Sequence, residues 1–388
     1  MLENPIASVV LFTAALLTTG LLGRLLGPPP AANRFVSIDG LRGYLAFSVF
    51  IHHAVIWFQY LRTGEWGVPV THLYTHLGQS GVAFFFMITA FLFTSKLIGA
   101  KARPIDWRAF FVARAMRLTP LYLVAMLLLI TVVAIATDFT LGVPTATLLG
   151  DLAIWLGFSV LGEPDMNGLV GTRHVLSGVT WSLPYEWFFY CALPLMAILT
   201  RNRPPIGYVM FGALACTLFL LQGRSNWMAY YAFLIGVLAA FPAQSEAVRC
   251  RTSGIPGSIV AVASVVLAVV LTPSPSSRSG LLLIGVAFTI IACGNTLFGM
   301  LASDLSRRLG EISYSLYLLH GVVLFVAFKF VIGTEAARLL SPVQHWLVAL
   351  ACTPLLIGIC FVTFRFIEAP GMRLAAPISH WLGRRSDR

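Results

Sequence analysis

The chain has 388 residues, of which 58% are hydrophobic and 11% charged, and it carries a formal net charge of +11. Soluble domains usually contain about a quarter charged residues, so this composition, with long apolar runs recurring along the chain, excludes a soluble protein and indicates a multi-pass helical membrane protein. The arginines lie in short loops between apolar runs, where membrane topology requires them, so nucleic-acid binding is not expected. The six cysteines are scattered singly, without metal-ligand spacing, so no metal site is expected either.

Eleven apolar segments are predicted to cross the membrane as helices. They lie near residues 6–23, 43–61, 79–98, 118–136, 184–200, 206–222, 226–241, 256–272, 281–301, 313–332 and 345–367. A twelfth apolar piece, residues 147–161, contains Asp151. Its length of about 15 residues is short for a crossing, which needs about 20, so it is interpreted as interfacial or re-entrant.

Loop charges set the predicted orientation. The loop 99–117 carries Lys101, Arg103, Arg108, Arg114 and Arg117, which places it in the cytoplasm. If 147–161 does not cross, the later basic clusters also fall inside: Arg201 with Arg203, Arg249 with Arg251, Arg307 with Arg308, and the C-terminal tail. The prediction is an integral membrane protein, with both ends of a ten-helix core in the cytoplasm.

The first apolar run lies before this core. Arg24 and Arg34 follow it, and it lacks the basic start and the cleavage site of a signal peptide. It is interpreted as an extra transmembrane helix, with a cleaved signal as the alternative. The fold class is therefore an all-α membrane protein with a ten-helix core and one extra N-terminal helix. Residues 1–34 form that helix and its linker, 35–373 the membrane domain, and 374–388 a basic cytoplasmic tail.

The segment IDGLRGYLAFSVFIHHAVIWF, residues 38–58, places an arginine and two histidines in an apolar run. Arg42 and His53 are separated by about three helical turns, so both lie on one face, whereas His52 points about 100° away. His53 is expected near the midplane of a ~30 Å hydrocarbon core and Arg42 at its cytoplasmic rim. An intramembrane ionisable residue indicates a functional site. A purely structural interhelical hydrogen bond is the alternative for His53, and a structural role is preferred for His52.

Six segments in order resemble the acyltransferase family 3 membrane proteins. They are IDGLRG with its histidine at 53, GQSGVAFFFMITAFLFT at 78–94, FFVARAMRLTPLYL at 110–123, TWSLPYEWFFYCALPL at 180–195, LGEISYSLYLLHGVV at 309–323 and FRFIEAPGMR at 364–373. The resemblance spans about residues 35–373. Two positions depart from the family pattern: Thr89-Ala90 replaces the usual Ser-Gly pair, and Trp187 replaces a second acidic residue.

The resemblance implies transfer of an acyl group from cytoplasmic acyl-coenzyme A to a hydroxyl of a sugar, polysaccharide or glycolipid on the other side of the bilayer. Acetyl-CoA is the expected donor substrate, and no permanently bound cofactor is expected. Succinyl and longer acyl groups, the identity of the acceptor and the oligomeric state all stay open. The alternative function is a proton-coupled transporter of an anion or a lipid-linked sugar. The six-segment match, and the absence of evident internal halves, favour the enzyme.

Site roles follow from the resemblance together with the chemistry. His53 is assigned as general base, because a neutral buried imidazole can take the proton of the attacking hydroxyl; an acyl-histidine intermediate ranks second. Glu186 is assigned a catalytic role in orienting the acceptor or His53, the alternative being a carboxylate stabilised by a helix N-terminus. The predicted acyl-CoA-binding residues are Arg42, Arg114, Arg117 and Tyr122, since guanidinium groups suit phosphates. The predicted cavity-lining residues are Asp39, Trp181, Ser313, Tyr314 and His320.

Overall fold

The computed structural model describes residues 4–25, 35–100, 104–200, 202–224 and 226–386. These residues form helices and connecting turns, without a β-strand among them. The loop charges predicted at Arg34, Lys101, Arg103 and Arg201 lie outside the described residues.

Sixteen α-helices follow one another along the described chain. They are α1 (Pro5–Leu25), α2 (Val36–Thr63), α3 (His72–Gly99), α4 (Trp107–Ala136), α5 (Thr145–Leu156), α6 (Leu183–Leu199), α7 (Ile206–Leu221), α8 (Trp227–Ala239), α9 (Glu246–Thr252), α10 (Ile255–Leu271), α11 (Arg278–Ala292), α12 (Asp304–Glu311), α13 (Ser313–Phe325), α14 (Thr334–Leu339), α15 (Pro342–Thr363) and α16 (Ala369–Ser386). Two π-helical segments, Val326–Val331 and Phe364–Glu368, follow α13 and α15.

The expected class, an all-α multi-pass membrane protein, is confirmed. Among the described residues, 8 helical stretches are long and apolar enough to cross a membrane, or 9 if the bent pair α9 and α10 counts as one. All eleven predicted spans coincide with helices, but α7 and α11 have only 16 and 15 residues. The twelfth piece is the 12-residue helix α5. The number of core crossings therefore stays a prediction.

One predicted boundary is wrong. The span expected at 281–301 ends at Ala292, because Gly294 adopts a φ of 105° and the buried Asn295 turns back. The Asn295 amide donates to the carbonyls of Thr252 (2.6 Å) and Gly254 (3.1 Å), at the 73° bend between α9 and α10. The span expected at 118–136 lies within α4, which begins earlier, at Trp107, where Asp106 caps the helix.

The chain divides into two compact units, one made of residues 1–92 and 227–361, the other of residues 93–226 and 362–388. In the first unit, α2 packs against α12 and α13. A Cβ atom on Gly40 would lie 1.9 Å from the carbonyl oxygen of Leu301, and one on Gly310 would lie 1.9 Å from that of Asp39. A Cβ on Gly43 would lie 2.5 Å from the carbonyl carbon of Leu309, so both glycines of the IDGLRG segment allow a close main-chain contact, as is usual between helices in membranes.

In the second unit, α4 packs against α16. A Cβ on Gly371 would lie 2.8 Å from Pro120, and one on Gly383 would lie 2.6 Å from Arg108, so the two helices run antiparallel. The segment predicted as a basic tail, residues 374–388, is helical through Ser386. At 30 residues, α4 is about 45 Å long, so about ten of its residues extend beyond a ~30 Å hydrocarbon core.

Candidate functional site

His53 lies within the continuous helix α2, about 5 Å beyond its midpoint. Arg42 lies on the same helix about 16 Å away along its axis, and three full turns bring both residues to one face. The imidazole of His53 is buried, with 8% of the residue exposed. The structure therefore supplies the continuous helix on which the predicted alignment of these two residues depends.

Two contacts fix the tautomer of His53. Its Nδ1 lies 2.9 Å from the carbonyl oxygen of Val49 and 3.0 Å from Nε2 of His320. A carbonyl oxygen only accepts, so Nδ1 carries the hydrogen. In the neutral ring, Nε2 then keeps its lone pair, and no hydrogen-bond partner for Nε2 lies among the described residues. The arrangement leaves an unprotonated imidazole nitrogen unengaged at this depth in the helix.

His320, on α13, is fully buried and lies directly against His53. Its Nδ1 lies 3.0 Å from the carbonyl oxygen of Leu316, so Nδ1 donates there and Nε2 accepts. The ring centroids of the two histidines are 4.9 Å apart. Of the predicted cavity residues, His320 is the one that the structure brings into hydrogen-bond contact with His53.

His52 has different surroundings from its neighbour. Its Nδ1 donates to the carbonyl oxygen of Tyr74, at 2.7 Å, and its ring packs against Gly78 of α3. A Cβ atom at position 78 would lie 2.2 Å from that ring. These contacts join α2 to α3 and agree with the structural role preferred for His52.

An aromatic side chain that sequence reasoning missed covers His53. Trp66, in the turn between α2 and α3, stacks on the His53 ring with centroids 6.3 Å apart and planes inclined by 23°. Trp57 and Tyr60 hold the indole of Trp66 edge-on, at 5.4 Å each. The available signal was the position of Trp66 in a short loop just after the histidine-bearing span.

The remaining predicted cavity residues of this unit lie further along the helices. Asp39, in the first turn of α2, is about 21 Å from His53 along the axis, so the structure does not bring these two together. Ser313 and His320 lie on one face of α13, about 10 Å apart along it. Tyr314 is buried, with 8% exposure.

In the second unit, Arg114 and Glu186 meet at one tyrosine. The hydroxyl of the buried Tyr190 donates to Oε1 of Glu186, and the Arg114 side chain hydrogen-bonds to the same tyrosine. The Arg114 guanidinium also lies over the ring of Phe93, at 5.2 Å. Two residues predicted to serve different substrates thus share a polar cluster, and Tyr190 is a member that sequence reasoning missed.

Arg117 forms an ion pair with Glu368, at 3.0 Å, and its guanidinium also lies 3.4 Å from Sδ of Met372. The Glu368 side chain has no exposed surface and that of Arg117 is 14% exposed. Sequence reasoning placed Glu368 in a family-like segment without assigning it a role. A buried charge requires a partner, so an acid at the end of an apolar span was the available signal.

Tyr122 and Trp181 have packing roles within the second unit. The Tyr122 hydroxyl donates to the carbonyl of Trp155, at 2.5 Å, and its ring stacks on Phe158 with centroids 4.3 Å apart. These contacts join α4 to the end of α5. Trp181 contacts Tyr185 edge-on, at 5.8 Å. Among the residues that the structure describes, no group of three or more His, Cys, Asp or Glu side chains is placed to hold a metal ion.

Comparison with known proteins identifies the chain. The model of acyltransferase family 3, described as an acyltransferase domain, matches residues 35–365. This chain belongs to acyltransferase family 3. Acyltransferase MdmB of Streptomyces mycarofaciens is 25% identical over 395 residues, covering 92% of this chain and 95% of the relative. Nodulation protein 10 of Rhizobium leguminosarum bv. viciae is 27% identical over 217 residues, covering 52% of this chain and 55% of that protein. No solved structure matches the chain.

Membership in the family makes this protein an acyltransferase, which uses an acyl donor and an acceptor, and its apolar helices make it an integral multi-pass membrane protein. The matched range begins just before α2 and ends within the π-helical segment before α16, so α1 and α16 flank the family domain. His53, Glu186 and His320 all lie inside that range.

Proposed function

We propose that this acyltransferase moves an acyl group, with acetyl as the first candidate, from cytoplasmic acyl-CoA to a hydroxyl of a sugar, polysaccharide or glycolipid. The acceptor is reached from the extracytoplasmic side of the bacterial inner membrane. The observation that carries the proposal is the unengaged, unprotonated Nε2 of His53, buried in α2 and held in that tautomer by the carbonyl of Val49. A nitrogen in this state can act as a general base toward a hydroxyl.

In the proposed reaction, the acyl group passes directly from coenzyme A to the acceptor, and His53 acts as the base. The acceptor oxygen attacks the thioester carbonyl while its proton passes to Nε2 of His53. The carbon–sulfur bond then breaks, and the thiolate of coenzyme A takes the proton from Nε2. An acyl-histidine route would use the same nitrogen as nucleophile. Both routes therefore need a hydrogen on Nδ1 and a lone pair on Nε2, and direct transfer ranks first because it needs no second acyl transfer.

The proposal assigns binding of the acyl donor to cationic side chains. Arg42, Arg114 and Arg117 are assigned to the phosphates of the coenzyme, which the predicted orientation places on the cytoplasmic side. Arg42 is about 16 Å from His53 along α2. In acyl-CoA, the pantetheine arm separates the phosphates from the thioester, so the gap between Arg42 and the base suits this donor.

The test is acyl transfer by purified protein given radiolabelled acetyl-CoA and a panel of glycan acceptors. Wild type is compared with His53→Ala, and His52→Ala is the matched control, since it removes the neighbouring imidazole. We expect label on a glycan with wild type and with the control, and a loss of at least about 100-fold in His53→Ala. Transfer surviving in His53→Ala would remove the assigned base. Absence of coenzyme binding to the wild type would instead favour the transporter.

A further inference from the structure

The hydrogen bond between the two buried imidazoles has a consequence for the base. We propose that His320 is a positioning residue for His53: its Nε2 accepts the Nδ1 hydrogen of His53 and stabilises the positive charge that forms on His53 during transfer. This inference rests on the proposed function, because it assigns His320 a part in the same reaction. Nothing in the family comparison assigns that part to His320.

The direction of the bond is forced by two main-chain carbonyls. Val49 requires a hydrogen on Nδ1 of His53, and Leu316 requires one on Nδ1 of His320. The opposite arrangement, with Nε2 of His320 donating, would set two lone pairs against two carbonyl oxygens. The 3.0 Å contact is therefore an N–H···N bond from His53 to His320, and the hydrogen is shared with the Val49 carbonyl as a three-centre bond.

The two acceptors make different contributions. Val49, one turn earlier on the same helix, is sufficient to hold the tautomer of the neutral ring. A charged imidazolium needs more, because its Nδ1–H becomes a stronger donor and the surroundings offer little solvation. His320 supplies a second acceptor at the same hydrogen. Its effect should therefore appear in the rate of the chemical step and not in the binding of the donor.

The surroundings explain why the partner is a neutral ring. Within the described residues, the hydrogen bonds of these two imidazoles go to main-chain oxygens and to each other, and none goes to a carboxylate. An ionised carboxylate at this depth in a membrane would be costly to bury, whereas an imidazole nitrogen accepts without a charge of its own. Trp66 stacks on His53, and His52 lies edge-on at 5.0 Å.

Over one turnover, the proton that leaves the acceptor ends on the thiol of coenzyme A. The acceptor's O–H bond breaks and Nε2 of His53 takes the proton, while the Nδ1 hydrogen stays in its bond to His320. The new O–acyl bond forms, the carbon–sulfur bond breaks, and the thiolate takes the proton back from Nε2. Both rings then return to their starting state, and no other proton donor is needed.

The experiment uses the full chain in lipid nanodiscs and two substitutions at one position. The side chain of His320→Gln keeps an oxygen acceptor at about the reach of Nε2, whereas His320→Leu removes the acceptor. Hydrogen bonds to charged groups are worth about 10- to 100-fold in rate. We expect His320→Leu to lower kcat by that factor with KM for acyl-CoA within about twofold of wild type, and His320→Gln to recover most of the loss.

Three kinetic results would overturn the inference. They are an unchanged kcat in His320→Leu, an equal loss in both variants, and a loss confined to KM or to coenzyme binding, as a merely structural role would give. The exposed His72 provides the control, since His72→Gln removes a solvent-facing imidazole of α3 and should leave the kinetics unchanged.

A second measurement does not depend on activity. In protein labelled with ¹⁵N at the histidine rings, the bond predicts a through-hydrogen-bond coupling between Nδ1 of His53 and Nε2 of His320. The coupling should persist in His72→Gln and vanish in His320→Leu. If it is present but the wild type transfers no acyl group, the proposed function fails while the hydrogen-bonded pair stands. If it is absent, the positioning role is overturned whatever the activity.

Discussion

His52 and His53 are adjacent in the chain but have different chemical environments. The His52 ring donates to a main-chain carbonyl and packs closely on a glycine, whereas Nε2 of His53 has no hydrogen-bond partner among the described residues. From the sequence, the helical periodicity places their side chains about 100° apart, and the alignment with Arg42 favours His53 for function. It could not show His320, because two residues that are far apart in sequence meet only through the packing of α2 on α13.

A substitution at Gly78 tests the contact that fixes His52. In Gly78→Ala, the new Cβ would lie 2.2 Å from the His52 ring, so the ring must leave its present position or α2 and α3 must shift apart. Overpacking of this kind costs about 1–3 kcal/mol of unfolding free energy. Gly99→Ala, in the same helix, is the control, because nothing lies within 4 Å of its Cβ. Thermal unfolding in detergent compares the two, and equal midpoints would contradict the packing described.

The pair Arg117–Glu368 is best tested by a double-mutant cycle. Arg117→Met leaves a fully buried carboxylate without its partner, which costs about 3–5 kcal/mol of unfolding free energy. Adding Glu368→Leu removes that carboxylate and should recover most of the loss. Additive losses in the cycle would show that the pair does not interact.

The same double variant separates stability from donor binding. If Arg117 also holds the coenzyme phosphates, the double variant regains stability but binds acyl-CoA more weakly than wild type. Binding measured by calorimetry on the purified variants gives the answer, with Arg203→Gln as a control for the loss of one arginine.

At the level of elements, hydropathy located the helices and misplaced the end of α11. Apolar runs predict helices well, because a chain in lipid must satisfy its own main-chain hydrogen bonds. Hydropathy alone did not extend α4 back to Trp107, because Arg114 and Arg117 resemble a loop by composition. In the structure both arginines lie within α4, where Arg114 hydrogen-bonds to Tyr190 and Arg117 forms an ion pair with Glu368. The end of α11 was missed because the turn depends on Asn295, whose partners lie over 40 residues earlier.

The connection between α5 and α6 contains a half-buried acid, Glu163, that accepts a hydrogen bond from Thr180. Burial raises the pKa of the Glu163 carboxyl, and the Thr180 hydroxyl and the charges of Arg173 and Arg224 only partly offset that effect. The folded chain therefore favours the protonated form more than the unfolded chain does. Ionisation above the folded pKa destabilises the fold, and this cost is absent below the unfolded pKa.

Glu163→Gln should accordingly stabilise the protein in a pH-dependent way. We expect its thermal midpoint to exceed that of wild type by about 2 °C at about pH 8, and the two midpoints to converge at about pH 4. Glu65→Gln, in an exposed turn, controls for the loss of one negative charge. A midpoint of the variant below that of wild type at about pH 8 would mean that folding lowers the pKa of Glu163 instead of raising it.

For the whole molecule, the pattern of basic loops predicts an orientation that a single cysteine can report. Among the six cysteines, all described, only Cys250 is exposed, on α9 in a loop predicted to be cytoplasmic. A membrane-impermeant maleimide should therefore label it only after spheroplasts are permeabilised. In a Cys250→Ser background, Arg278→Cys lies in a loop predicted to be extracytoplasmic and should react in intact spheroplasts. The opposite pattern would invert the predicted topology.

The bond between the two imidazoles also bears on how this site responds to the membrane potential. Nε2 of His320 can accept only while that ring is uncharged, because a protonated nitrogen has no lone pair. Moving one elementary charge through a potential of 100 mV involves about 2.3 kcal/mol. With His53 in its neutral form as well, the resting pair presents no net charge to that field. In the proposed mechanism, a charge appears at this pair only while His53 holds the proton of the acceptor, so the potential would act on the pair during transfer and not at rest.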